Sequence, residues 1–222
     1  LSLRILLREL KRRYDASCHG ERTNLPDLPI QYVDYAAWQE RQQDQLEEEV
    51  QYWKRQLSDM PSVLKLPTDF SRPGRQSYRG DRFRFELPTP LSDSLKKTAT
   101  EYRTTLFTVL LAALHTTLFR HTGQDDFCVG STVSNRDREE TRNLIGLFVN
   151  NVVFRAQPKL YQTFRELLAA THESVMSGLR NQQVPFERVV DALQIDRQLS
   201  HNPLFQVMFV LRPNESNGPN SS

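Results

Sequence analysis

The sequence predicts an α/β fold, and three observations carry that class. Residues 127–133, 147–154 and 204–211 are short runs rich in apolar and β-branched side chains, of strand length. Longer stretches with apolar residues at helical spacing lie before and between them. One of these, 104–121, is apolar on most faces, and a helix hydrophobic nearly all round belongs inside a core.

The chain has 222 residues, 38% apolar and 25% charged, an ordinary balance for a domain with a core of its own. With 29 basic and 27 acidic side chains the net charge is +2, which gives no general case for a nucleic-acid partner. Cys18 and Cys128 lie far apart, neither has further ligands at zinc spacing, and two such cysteines fit a reducing cytoplasm. No metal site is expected. The longest apolar run, 106–114, is too short to span a bilayer, so no membrane partner is expected either. The chain opens on LSLRILLREL, without an initiator Met and already within an amphipathic pattern, and so reads as a piece of a longer polypeptide.

In order, Leu3, Leu6, Leu7, Leu10 and Tyr14 follow helical spacing with Arg4, Arg8, Lys11 and Arg12 on other faces, giving an amphipathic helix whose stripe is expected to pack on a core. Residues 16–29 form a polar loop. A long helix is expected over 32–57, with Leu46, Val50, Trp53 and Leu57 on one stripe. Residues 64–79, LKLPTDFSRPGRQSYR, carry Pro67, Pro73 and Gly74 and form no regular element. Phe83, Phe85 and Leu87 then alternate with Arg82, Arg84 and Glu86, which predicts a half-exposed strand over 80–87. A surface helix over 91–102 takes Ser92 or Asp93 as its N-cap. His115 and His121 lie on or just after the apolar helix and read as structural, with His115 satisfied in place. The run TGQDD, 122–126, stops that helix.

The stretch FCVGSTVSNRDREETRNLIGLFVNNVVFR, 127–155, is the centre of the chain: two strands joined by a charged loop. Asn150 and Asn151 interrupt the second strand. Either they end it and bind backbone, or something polar meets the chain there. An amphipathic helix over 161–179, a short helix over 185–193 begun by Pro185, and the run 204–211 follow. That run is almost continuously apolar, which predicts a strand buried on both faces, with Gln206 in need of a partner. The tail PNESNGPNSS reads as a linker.

Five segments, in order, resemble signatures of the condensation domains of nonribosomal peptide synthetases. They are Tyr-x-Asp-Tyr-Ala-x-Trp at 32–38, the Leu-Pro-Thr-Asp…Arg-Pro run from Leu66, Gly-x-Phe-Val-Asn…Arg from Gly146 to Arg155, Asn-Gln-x-x-Pro-Phe-Glu at 181–187, and Arg-x-x-Ser-x-Asn-Pro-Leu at 197–204. The resemblance implies a chloramphenicol-acetyltransferase-like αβ sandwich, one lobe of a V-shaped pair. It divides the chain into the end of an N-terminal lobe with connecting helices (1–60), an inter-lobe linker (61–79), a C-terminal condensation lobe (80–211) and a linker to a following domain (212–222).

The implied activity is amide formation between a carrier-bound acyl or peptidyl thioester and a carrier-bound aminoacyl amine. The implied partners are upstream and downstream peptidyl carrier proteins, whose phosphopantetheine arms enter a tunnel between the lobes, and an adenylation domain in the same polypeptide. The family's catalytic histidine stands in a His-His-x-x-x-Asp-Gly motif. The five histidines here, at 19, 115, 121, 172 and 201, form no such motif, so no catalytic residue is expected in this chain. The resemblance puts the motif upstream of Leu1, with the chain beginning just after it. Three residues are expected to support the motif or line the tunnel: Arg136, through pairing with the motif's aspartate, Asn150 and Asn202. Each also has a plain structural reading, as a solvated arginine, a strand-end amide and a turn cap. A second functional reading is a non-catalytic lobe that docks a carrier protein or another partner. Heterocyclisation and epimerisation domains, and coenzyme A-dependent acyltransferases, share the scaffold and match these signatures less well. Either lobe alone is expected to expose apolar surface and self-associate.

Overall fold

The computed structural model describes residues 1–195 and 198–212. Along the chain the elements are α1 (Ser2–Cys18), α2 (Tyr32–Gln42), a 3-10 turn (Gln43–Leu46), α3 (Glu47–Leu57), α4 (Thr89–Glu101), α5 (Leu106–Thr122), β1 (Phe127–Val133), β2 (Asn150–Ala156), α6 (Phe164–Arg180), α7 (Phe186–Ala192) and β3 (Val207–Met208), with short 3-10 turns at Glu139–Thr141 and Pro158–Leu160.

The centre of the fold is β1. It pairs antiparallel with β2, from Phe127 opposite Ala156 to Val133 opposite Asn150, and parallel with β3, Val129 opposite Val207, in the order β2-β1-β3. Its first five residues are all buried. Successive strand side chains point to opposite faces, so both faces of β1 are covered. The core joins Trp53 and Leu57 of α3, Leu111 and Leu118 of α5, Val175 of α6 and Val189 and Val190 of α7 to the strands. Gly130 lets Phe205 lie on the strand, for a Cβ there would stand 2.5 Å from the Phe205 ring.

Polar ties fix the ends. Thr105 caps α5 and Gly123 closes it at φ 68°. Thr163 and Glu166 form a capping box at the start of α6. Arg155 donates from Nε and Nη2 to both carboxylate oxygens of Asp126 (2.8 and 2.6 Å) and from Nη1 to Gln56 O and Ser58 O (3.0 and 2.9 Å), so β2, the entry to β1 and the end of α3 share one guanidinium. Gln206 accepts from Leu64 N–H and donates to Ser62 O and Asn202 O, which supplies the partners its position requires.

Several expectations are corrected. The helix expected over 32–57 is broken at Gln43–Leu46 and restarts at Glu47, Glu48 and Glu49, three carboxylates placed where the helix dipole favours them. Residues 80–87 form no strand, and Phe83 and Phe85 stand 88% and 73% exposed, because alternation defines two faces but supplies no pairing edge. The second strand starts at Asn150 rather than Leu147. The last one pairs only over Val207–Met208, with Met208, Val210 and Leu211 exposed. Helix α4 begins at Thr89 after Pro88, with Pro90 in its first turn, instead of at a Ser92 or Asp93 cap, and Pro185 is the N-cap of α7 rather than part of its first turn. The stripe of α1 is exposed at Leu3, Leu6, Leu7, Leu10 and Tyr14 and only Ile5 is buried, since none of the described residues covers it. His115 is buried, but neither ring nitrogen has a hydrogen-bond partner, so it is not the satisfied histidine expected. The linker reading of 212–222 falls, beyond Arg212, outside the described residues, as does Arg197 of the last signature.

Candidate functional site

Three of the signatures converge where α2 meets the loop between β1 and β2. Tyr35, Leu144 and Phe148 form a small buried cluster, with Tyr32 and Trp38 against it. The Phe148 ring lies 4.6 Å from Tyr35 and 5.3 Å, edge to face, from Tyr32. Gly146 is required by this contact: a Cβ there would stand 2.1 Å from the Tyr32 ring. The Tyr32 hydroxyl then donates to Leu147 O at 2.9 Å, so α2 holds the loop at both ends of the Gly-x-Phe signature.

Two clefts open beside this cluster. One, of about 430 Å³, is lined by Tyr35, Trp38, Gln39, Asn135, Asp137 and Arg138 among others. The other, of about 400 Å³, is lined by Tyr32, Gln39, Asn135, Phe148, Asn150 and Glu187 among others. On α2 the residues Tyr35, Trp38, Gln39 and Gln42 share a face, with Tyr32, Ala36 and Glu40 on the adjoining one, so a single helix walls both clefts. The Arg138 guanidinium lies over Trp38, 4.3 Å from the ring centroid.

Arg136 does not lie free in solvent. Its guanidinium stacks 4.0 Å from the centroid of Phe148, donates from Nη1 to Thr141 O and Leu144 O and from Nη2 to Ser2 Oγ at 2.8 Å. Ser2 Oγ in turn donates to Gly146 O and accepts from Gly146 N–H, tying the start of α1 to the loop. Leu1, the residue upstream of which the histidine motif is expected, is the exposed N-cap of α1 and gives that helix no side-chain cap. It lines neither cleft, yet its neighbour Ser2 touches Arg136, so the start of α1 lies beside this loop. Partial burial lowers the Arg136 pKa, and Tyr35 opposes that shift.

Asn150 faces the second cleft at the first position of β2. Its Nδ2 donates to Gln182 O and Val184 O, and its Oδ1 accepts from Asn151 N–H and Phe186 N–H. The strand end thus holds the Asn-Gln-x-x-Pro-Phe-Glu turn through three of the four hydrogen bonds of one amide, the fourth going to Asn151 N–H. Phe186 then packs on Phe205 at 5.6 Å. Asn202 lines neither of these clefts. Its Oδ1 accepts from Leu204 N–H across Pro203 and its carbonyl accepts from Gln206. Arg136 lines neither cleft either, but its stack on Phe148 puts it beside the cleft that Asn150 lines, whereas Asn202 sits at the lead into β3.

No histidine lines either cleft. His172 is hydrogen-bonded to Thr104 Oγ1 and His201 to Ser200. Tyr35 titrates above its ordinary range because it is buried, with Tyr32 and Asp137 adding to the shift. Among the described residues there is no cluster of three or more groups able to hold a metal ion. The arrangement can bind and orient a polar ligand through amides, carboxylates and aromatic faces. Sequence reasoning missed Asn135, Trp38 and Arg138 as cleft residues. The one available signal was an asparagine within Val133-Ser134-Asn135-Arg136, since asparagine tolerates positive φ better than most residues.

A family model described as Condensation domain matches residues 1–220. A linear gramicidin synthase from Brevibacillus parabrevis is 43% identical over 213 residues, covering 95% of this chain and 3% of that protein. Malpinin synthetase of Mortierella alpina is 41% identical over 216 residues, 96% of this chain and 3% of that protein. The chain thus spans only a few per cent of these relatives' length. Among solved structures, the X-domain from teicoplanin biosynthesis superposes with a TM-score of 0.88 at 25% identity, over 93% of this chain and 48% of that one. The same kind of domain in complex with OxyB gives 0.89. A four-domain nonribosomal peptide synthetase bound to AMP and glycine gives 0.85 at 27% identity, over 97% of this chain and 16% of that one.

Proposed function

The chain belongs to the condensation-domain family, and from that premise we propose that it is part of a nonribosomal peptide synthetase domain that joins a carrier-bound acyl or peptidyl thioester to a carrier-bound aminoacyl amine. The observation that carries this reading is the convergence of the Tyr-x-Asp-Tyr, Gly-x-Phe-Val-Asn and Pro-Phe-Glu signatures on one pair of clefts. The chain's own residues build and brace the acceptor-side wall, with Arg136 and Asn150 fixing its loops and Asn202 fixing the lead into β3. The general base comes from a His-His-x-x-x-Asp-Gly motif upstream of Leu1, whose aspartate is a partner for the Arg136 guanidinium. The tie from Ser2 to Arg136 supports that pairing, because it brings the start of α1 to the same side chain. Carrier proteins with their phosphopantetheine arms, a neighbouring adenylation domain and a cytoplasmic location belong to the same proposal, as does the division into connecting helices (1–60), linker (61–79) and condensation lobe (80–211).

The test is reconstitution of the parent synthetase module with both carriers loaded, followed by mass spectrometry of the downstream carrier. The expected result is a dipeptidyl product that falls at least tenfold for Arg136→Ala while the fold is kept. A loaded, folded module that forms no peptide bond overturns the reading. The likeness to the X-domain solved with OxyB favours a second reading, a lobe that docks a partner without chemistry. Under that reading the module binds its partner and makes no product.

A further inference from the structure

Asn135 stands in the wall common to both clefts. Its φ of 45° lies in the left-handed region, which glycine adopts at no steric cost and asparagine more readily than most other residues. The residue is 8% exposed, and its Oδ1 is buried with no hydrogen-bond partner. An unpaired buried amide oxygen is unfavourable. A glycine would make the same turn without the orphan atom. The side chain therefore answers to something other than the turn.

The surroundings say what that is. The terminal torsion of an asparagine is soft and roughly two-fold, so Oδ1 and Nδ2 exchange places readily. The groups beside it are rich in acceptors: Asp137 lines one cleft, Glu40 and Glu187 the other, and Gln39 both. The neighbouring cation Arg136 turns Nη1 and Nη2 to Thr141 O, Leu144 O and Ser2 Oγ, and Arg138 lies on Trp38. A ligand bearing an ammonium fits this acceptor-rich wall, whereas one lacking it leaves the amide oxygen orphaned.

We propose that Asn135 is a specificity-determining residue: it stands between the two clefts and gives its amide oxygen to the amine N–H of the bound aminoacyl group. This rests on the reading of the clefts as an aminoacyl site. That wall confines a side chain to one compartment of about 430 or 400 Å³. Gln39 lines both clefts too, so removal of the Asn135 side chain widens each of them at the wall they share.

The test uses the full chain, titrated with leucinamide, tryptophanamide and their desamino counterparts, 4-methylpentanamide and 3-indolepropionamide, followed through the backbone amide resonances of the cleft loop in wild type and variants alike. Wild type is expected to bind leucinamide at least about tenfold more tightly than its desamino counterpart, since a site built to receive the amine N–H rejects the analogue that lacks the amine. Asn135→Gly is expected to bring that ratio within twofold, to bind tryptophanamide at least fivefold more tightly than wild type, and to melt no lower than wild type. Asn135→Asp, which keeps an acceptor, is expected to keep the ratio. A ratio unchanged in Asn135→Gly, a lower melting temperature with unchanged selectivity, or no binding of any amide to folded wild type overturns the proposal. The peptide-bond assay of the parent module is a separate readout. Product formation there with unchanged selectivity here refutes the role of Asn135 alone.

Discussion

His115 should make this chain acid-sensitive in a way that a single substitution removes. The ring is 1% exposed on α5, edge-on to Phe127 at 6.0 Å, and neither nitrogen has a partner. Burial holds its pKa down at about 3, so the native ring is neutral at every working pH. The unfolded ring protonates near 6.5. Above that value both states are neutral and the group adds no pH dependence. As the pH falls below 6.5 only the unfolded chain takes up the proton, and stability is lost until the native pKa is reached. With native and unfolded values of about 3 and 6.5, the loss at pH 5 relative to pH 8 is roughly 2 kcal/mol, rising to roughly 4–5 kcal/mol below both.

His115→Leu replaces the ring with an apolar side chain of similar size. At pH 8 it removes two unpaired polar atoms and is expected to stabilise by about 1 kcal/mol; at pH 5 the gain grows to about 3 kcal/mol. Urea unfolding of both proteins at pH 5 and pH 8, followed by circular dichroism and by Trp53 fluorescence, measures the difference. All other titrating groups cancel in that comparison. Wild-type and His115→Leu curves that stay parallel, within about 0.5 kcal/mol from pH 8 to pH 5, would refute the reasoning.

Arg155→Ala strands the Asp126 carboxylate, and urea midpoints are expected to show a loss of about 3 kcal/mol, with Arg155→Lys recovering less than half because a lysine cannot reproduce the fork. Gly146→Ala forces a methyl against the Tyr32 ring and should cost about 1–3 kcal/mol, a loss that a double variant with Tyr32→Ala largely cancels. Asn150→Asp keeps both acceptor bonds but sets a carboxylate against the carbonyls of Gln182 and Val184, so its melting temperature should fall more at pH 8 than at pH 4, whereas Asn150→Ala should show no such difference. The exposed stripe of α1 should drive self-association, seen as concentration-dependent sedimentation that Leu7→Glu and Leu10→Lys together reduce.

The elements with strong periodicity were legible in the sequence: α5, α6, β1 and the Val50–Trp53–Leu57 face of α3 are helix, strand and core as their spacing implies. Elements whose form depends on a facing surface were not. Phe83 and Phe85 alternate as in a strand, yet a strand exists only when another edge takes its hydrogen bonds. The α1 stripe has helical spacing, but burial belongs to the pair of surfaces and not to one of them. Around the clefts, Arg136 and Asn150 were legible as residues of interest, while their partners were not, because Thr141, Leu144, Gln182 and Val184 contribute only main-chain carbonyls, which the sequence does not distinguish.

That last point separates two kinds of polar residue at this site. Arg136, Asn150 and Asn202 spend their groups mainly on main chain, so each is held by the fold and holds it in return. Removing any of them leaves backbone donors or acceptors unpaired, and the cost appears first as stability. Asn135 is the reverse case. Its turn is one that glycine makes as well and its amide oxygen is unspent, so the fold gains little from the side chain. A polar group that stability does not require, placed in the wall two clefts share, is the one whose partner arrives with the ligand. The distinction is measurable in one set of variants. Substitution at Arg136 or Asn150 should lower the melting temperature, whereas Asn135→Gly should leave it level or higher and change what the clefts select.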